Sequence, residues 1–290
     1  MTRLRALLAL SLCLTPVVAR GQMVMPPEAS AAALRQVAEV RAATASRSTP
    51  ALASSAGYGP VLNWLPTMGT HWINRTLQGD GKSVNLMAPD QLMFSPVNGT
   101  PTLVGAAYSY IVPLTDSTRP ATFDGAPRWH DHPQFAPPGE TLAMLHVWFV
   151  PSPDGPFAGH NPNLPFWALG LTPPPADRFM DPAESARIRK AALALGTVAD
   201  TGGLFPTLAA RPVLHERLAA EREAIRPLVA KLDAKDVRDW SAWDRAADEA
   251  AAHWDAVRAI YLGYVRTPAI RERLESIMDE METGQHAHRH

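Results

Sequence analysis

Two histidines one residue apart, His130 and His132, stand in the stretch PRWHDHPQFAPPGE (residues 127–140). In an extended segment, side chains at i and i+2 project to the same side, so both imidazoles can reach one ion while Asp131 points away. Nitrogen and oxygen donors of this kind suit Cu(II), Zn(II), Ni(II) or non-haem Fe(II). An H-x-H pair taken alone is a weak signal, because loop histidines also serve as ordinary hydrogen-bonding groups. His146 strengthens it. The segment TLAMLHVWFV (141–150) is apolar on both alternating faces, with Leu142, Met144, His146, Trp148 and Val150 on one and Ala143, Leu145, Val147 and Phe149 on the other. A polar ring buried in such a strand is costly unless a metal, a backbone carbonyl or a carboxylate such as Glu140 satisfies it.

His71, in NWLPTMGTHWINRTL, is the fourth candidate ligand, and Met68 lies three residues before it. Thioether and imidazole together serve both oxidation states of copper, although Met68 is expected to pack rather than ligate. His160, in PDGPFAGHNPNLPF, is expected to sit in a turn where Asn161 and Asn163 satisfy backbone groups. The tail GQHAHRH offers His286, His288 and His290 as a flexible scavenger of divalent ions rather than a built site. The candidate metal set is therefore His130, His132 and His146, with His71 to complete it.

Other chemistries lack their motifs. There is no G-x-S-x-G, no phosphate-cradling glycine loop and no G-x-G-x-x-G. The carboxylates Asp124 and Glu140 have no spacing that distinguishes them from solvated loop acids. With 27 Lys and Arg against 28 Asp and Glu, the net charge of -1 excludes a strong field for nucleic acid or anionic membranes. The single cysteine, Cys13, lies in an apolar run that follows Arg3 and Arg5. That run reads as a secretory signal peptide, residues 1–21, cut near Ala19 to Gly21. The mature chain would then be periplasmic or secreted and without cysteine, so thiolate metal sites and cysteine nucleophiles are excluded. No later segment approaches the roughly 20 apolar residues that spanning a membrane requires.

The elements that must position these residues are legible in outline. Residues 22–57 read as a helix, with Leu34, Val37 and Val40 at helical spacing, and a linker, ASRSTPALASSAGYG. Residues 58–172 read as a β-rich domain of short apolar runs. In it Asn98-Gly99, between QLMFSPV and TPTLVGAAYSYIVPL, supplies the positive φ angles of a tight hairpin, and 141–150 reads as a central strand. Residues 173–284 read as helical, with an N-cap at Asp181 and a break at Pro227. A Trp240, Trp243, Trp254, Tyr261 and Tyr264 stripe reads as core rather than ligand platform. A last helix opens at Thr267-Pro268 and stops at Gly284, and 285–290 is the histidine-rich tail. The fold class is α+β: an antiparallel sheet followed by a helical hairpin or bundle, which could also pair two chains.

The segments MGTHW, LVGAAYSYIVP, FDGAPRWHDH and LHVWFVPSPDGPFAGHNP, in this order, resemble a group of exported bacterial proteins over about residues 60–172. That resemblance carries no activity with it. The order His130, His132, Glu140, with His160 as a late histidine, is also similar to cupins, whose first motif sets H-x-H three or four residues before a glutamate and whose second supplies another histidine. The departure is that seven residues, three of them proline, separate His132 from Glu140. The cupin likeness implies a metalloenzyme, but oxygenase or isomerase chemistry does not carry over with a glutamate so far away. Four imidazoles would close the metal shell and make a carrier or sensor; three would leave a position open for catalysis. A third expectation has the histidines merely hydrogen-bonded and the helices mediating assembly.

Overall fold

A computed structural model describes residues 29–284 apart from 62, 82, 125–127, 200–204 and 210. The expected signal peptide and the histidine tail lie outside the described residues. The chain is α+β, as its patterning implied. One antiparallel sheet has the order β1-β2-β3-β4-β6-β5, built from β1 (Gly59–Pro60), β2 (Thr70–Ile73), β3 (Gln91–Val97), β4 (Thr100–Pro113), β5 (His130–His132) and β6 (Glu140–Trp148). The β3–β4 hairpin closes at Asn98 (φ 49°) and Gly99 (φ 75°), both left-handed as the Asn-Gly pair requires. β6 lies between β4 and β5, and side chains on both of its faces are buried, in keeping with its apolar sequence.

The register divides the sheet into two faces. Leu92, Ala106, Tyr108, Leu145 and Val147 form one, packed on α1 (Ala31–Ala43) through Ala33, Val37 and Val40 and on α2 (Pro50–Ser55) through Ala53. The stretch read as a linker thus contains a short helix, started by the Thr49 hydroxyl accepting from Leu52 N and by Pro50 in its first turn. The other face carries His71, Ile73, Gln91, Met93, Gly105, Ala107, Ser109, Leu142, Met144, His146, His130 and His132, by alternation from the registers Ile73↔Gln91↔Ala107↔His146 and His130↔Met144. A bulge between Met93 and Phe94 bends the β3–β4 pair, adding to the twist of the sheet.

Helices follow from α3 (Leu164–Ala168), earlier than the boundary at 173 that the proline run suggested, because α3 still packs on β3 while reaching α4 (Pro182–Ala199). The bundle is α4, α5 (Pro206–Ala209), α6 (Pro212–Ile225), α7 (Trp240–Tyr264) and α8 (Pro268–Thr283). Glu184 N donates to Asp181 Oδ1, the expected cap of α4, and the chain tightens into a 3-10 turn at Arg226–Leu232 around Pro227. Trp243, Trp254 and Tyr261 are fully buried in this core, each burial contributing roughly 1.5–3 kcal/mol or more. Trp240 lies at its edge, with the Arg178 guanidinium 4.0 Å from its ring centre.

An ion pair stitches helices to sheet. Arg189 of α4, only 5% exposed at its side chain, holds Asp154 of the β6–α3 loop at 2.6 Å, while Asp154 is 20% exposed. The two ends are therefore unequal. Asp154→Ala strands a buried guanidinium and is expected to cost about 3 kcal/mol; Arg189→Met leaves a carboxylate that water reaches and should cost less. Urea unfolding of both variants measures the difference, and equal costs would contradict it.

Candidate metal centre

Three strands, β2, β5 and β6, bring four imidazoles together on one sheet face. β5 presents His130 and His132 to the same side, both buried, whereas the side chain of Asp131 turns outward to Arg119 at 2.6 Å. The pairing His130↔Met144 and His132↔Leu142 lays this H-x-H along β6, beside His146. The rings of His130 and His146 have centroids 4.8 Å apart, and those of His130 and His132 4.9 Å. His71, on β2, is two strands further from β6 than β4 is. Its Nε2 is nevertheless 3.1 Å from His146 Nε2. The contact requires the sheet to curl over β3 and β4, where the small residues Gly105, Ala107 and Ser109 leave the room. All four candidate histidines therefore meet in one cluster.

Met144 joins them, and sequence reasoning missed it. Its Sδ is 3.1 Å from His146 Nε2. The signal was present, since Met144 shares the His146 face of β6 by alternation, but a methionine in an apolar strand reads as packing. Met68 is buried and lies in the wall of a cavity beside His71. Glu140 opens β6 opposite Pro113, at the strand's far end from His146. His160 is buried in the loop after β6, its Nδ1 2.8 Å from Thr67 Oγ1, and Asn161 and Asn163 both donate to Pro151 O.

The outer hydrogen bonds orient the rings. His146 Nδ1 donates to Gly159 O at 2.8 Å and His130 Nδ1 donates to Arg128 O at 3.2 Å. Carbonyls only accept, so in the neutral rings the proton is on Nδ1 and each Nε2 carries a lone pair. His71 must then be the donor in the Nε2–Nε2 contact. That leaves its buried Nδ1 without a hydrogen-bond partner. Burial also pushes the His71 pKa down to about 4, so the ring is neutral at physiological pH. Gln134 reaches His132 Nδ1 at 3.1 Å, and rotating its amide exchanges donor for acceptor there. Among the described residues no three His, Cys, Asp or Glu side chains already stand in a metal-holding arrangement. The rings instead lie edge to face, His130 at 90° to His132 and 60° to His146.

Behind the site lies a second buried polar group. Asp90 accepts from Ser109 N at 2.8 Å and from Ser109 Oγ at 2.6 Å, and the same Oγ accepts from Gln91 Nε2 at 2.9 Å. Burial outweighs these bonds and pushes the Asp90 pKa up to about 7. The folded state thus holds a proton on Asp90 that the unfolded chain, titrating near 3.9, releases. The resulting stabilisation is complete below about pH 4 and is lost as pH rises through 7, a change on the order of 4 kcal/mol. Asp90→Asn should flatten the stability profile between pH 4 and 7, as chemical denaturation at several pH values would record.

Comparison with protein-family models, with curated proteins and with solved structures finds no match to this chain.

Proposed function

We propose that this is an exported metal-binding protein that holds one transition-metal ion, copper in preference to zinc, through His71, His130, His132 and His146. The observation that carries the reading is the spacing of donors around His146 Nε2, with His71 Nε2 and Met144 Sδ each 3.1 Å away. Two nitrogens bound to one ion at about 2.0–2.1 Å stand about 2.8–3.4 Å apart for angles between 90° and tetrahedral. A soft cation placed among these atoms would be met by imidazole nitrogen and thioether sulfur at once.

Loading needs no net loss of protons from these rings. Moving the His71 proton from Nε2 to the bare Nδ1 frees Nε2 as a ligand, and a turn of the Gln134 amide accepts a proton on His132 Nδ1 and frees its Nε2 in the same way. Gly159 O and Arg128 O already hold His146 and His130 in the ligating tautomer. Thioether and imidazoles together favour copper. Because β6 and β2 are tied into one sheet, the site is rigid, which suits retention of an ion. Competition of Cu(I) and Zn(II) against calibrated chelators, with wild type and the His130→Ala, His132→Ala double variant, tests this. Tighter copper binding that the double variant loses is expected; copper binding unchanged by the double variant would overturn the ligand set.

A further inference from the structure

A cavity of about 240 Å³ opens beside the cluster, and His71, His132 and Met144 form part of its wall. His130 and His146 do not line it, so the cluster has a closed side, against the β6–α3 loop, and an open side. The rest of the wall is apolar: Val61, Met68, Ile73, Ile111, Phe135 and Leu142, with the amides of Gln78 and Gln91 between them. One cation, Arg75, completes the lining. Arg75 is exposed, and among the described residues it has no carboxylate or carbonyl partner. Its backbone is set by an Asx turn, Thr76 N and Oγ1 donating to Asn74 Oδ1 at 3.1 and 2.6 Å, and by Asn74 N donating to Asp90 O at 2.8 Å.

The opposite lip is held from the helical part. Arg273 of α8 donates to Gln134 O and places its guanidinium 5.8 Å from the centre of the Phe135 ring. Gln134 and Phe135 are thereby in contact with α8 through Arg273.

We propose that this cavity is the binding site of a small organic monocarboxylate with a compact apolar body, its carboxylate on Arg75 and its body between Ile111, Leu142 and Phe135. The planar guanidinium fork matches a carboxylate in two parallel hydrogen bonds. A single cation among neutral amides suits a monoanion better than a phosphate dianion. The volume falls below the roughly 300–1,000 Å³ of sites for drug-sized ligands, so the occupant is small. The anion's role rests on the metal reading above, since His71 and His132 of that ligand set line the cavity. Its binding can be measured independently of that reading.

Benzoate, its neutral isostere benzamide, and calorimetry on the untagged protein make the test, with metal content determined on the same samples. Benzoate should bind at least about tenfold more tightly than benzamide. Arg75→Gln should erase that preference while leaving metal content at the wild-type level, and Ile111→Trp, at an exposed strand position, should abolish binding of both. No saturable benzoate binding, equal affinities in the wild type, or a preference that survives Arg75→Gln would overturn the proposal. Arg75-dependent benzoate binding by a chain that takes up no metal would sink the metal reading alone.

Discussion

His146→Leu is expected to abolish stoichiometric metal uptake while leaving the protein folded. His146 is the hub of the cluster: its Nε2 faces both His71 Nε2 and Met144 Sδ, and its ring lies beside that of His130. Loss of outer-shell partners alone lowers metal affinity by about 10–100-fold, so loss of the central ligand should exceed that range. Leucine has a similar volume and suits a fully buried strand position, so the folding cost is confined to the polar groups left behind. Those are Gly159 O and the His71 ring, together about 1–3 kcal/mol. Metal analysis beside urea unfolding separates the two effects. Wild-type affinity in a folded His146→Leu protein would show that the ion sits elsewhere.

Gly105→Ala is expected to do the reverse, damaging the fold first and the site in consequence. A Cβ at Gly105 would stand 2.6 Å from Val147 O and 2.4 Å from Met93 Cε. Methionine can swing away, but a carbonyl in the β4–β6 ladder cannot. Overpacking of this kind costs about 1–3 kcal/mol where side chains can yield, and backbone contact puts this case at the upper end or beyond. About 3 kcal/mol corresponds to a fall in Tm of about 6–12 °C for a chain of this size class. The curl that brings β2 toward β6 passes over this residue, so the His71–His146 contact should loosen as well. Calorimetry gives the Tm; a variant as stable as the wild type would contradict the close approach.

Much of the histidine cluster could be read from the chain because its pattern is local. The H-x-H alternation and the lone histidine in an otherwise apolar strand are period-two features, and β5 pairs directly with β6. His71 is different. It lies 75 residues from His146, and only the curl over Gly105, Ala107 and Ser109 joins them. No local pattern encodes that curl; it depends on small residues whose significance appears only once the registers are known. Met144 was hidden for another reason, since a thioether on a buried strand has the same signature whether it packs or ligates. Arg75 and Phe135 show no pattern at all, because the cavity they share is assembled from separate loops. The helices were the easier part: their caps at Asp181 and Gly284 and the Trp243–Trp254–Tyr261 stripe are local and repeat at helical spacing.

The imidazoles of the sheet are proposed to hold a single ion. Native mass spectrometry of an untagged chain ending at Gly284, titrated anaerobically with Cu(I), tests it most directly, because the tail histidines are then gone. One copper per chain is expected, retained through dilution and lost from the His130→Ala, His132→Ala double variant. A chain that takes up no copper, or a double variant that takes up one as readily as the wild type, would contradict it.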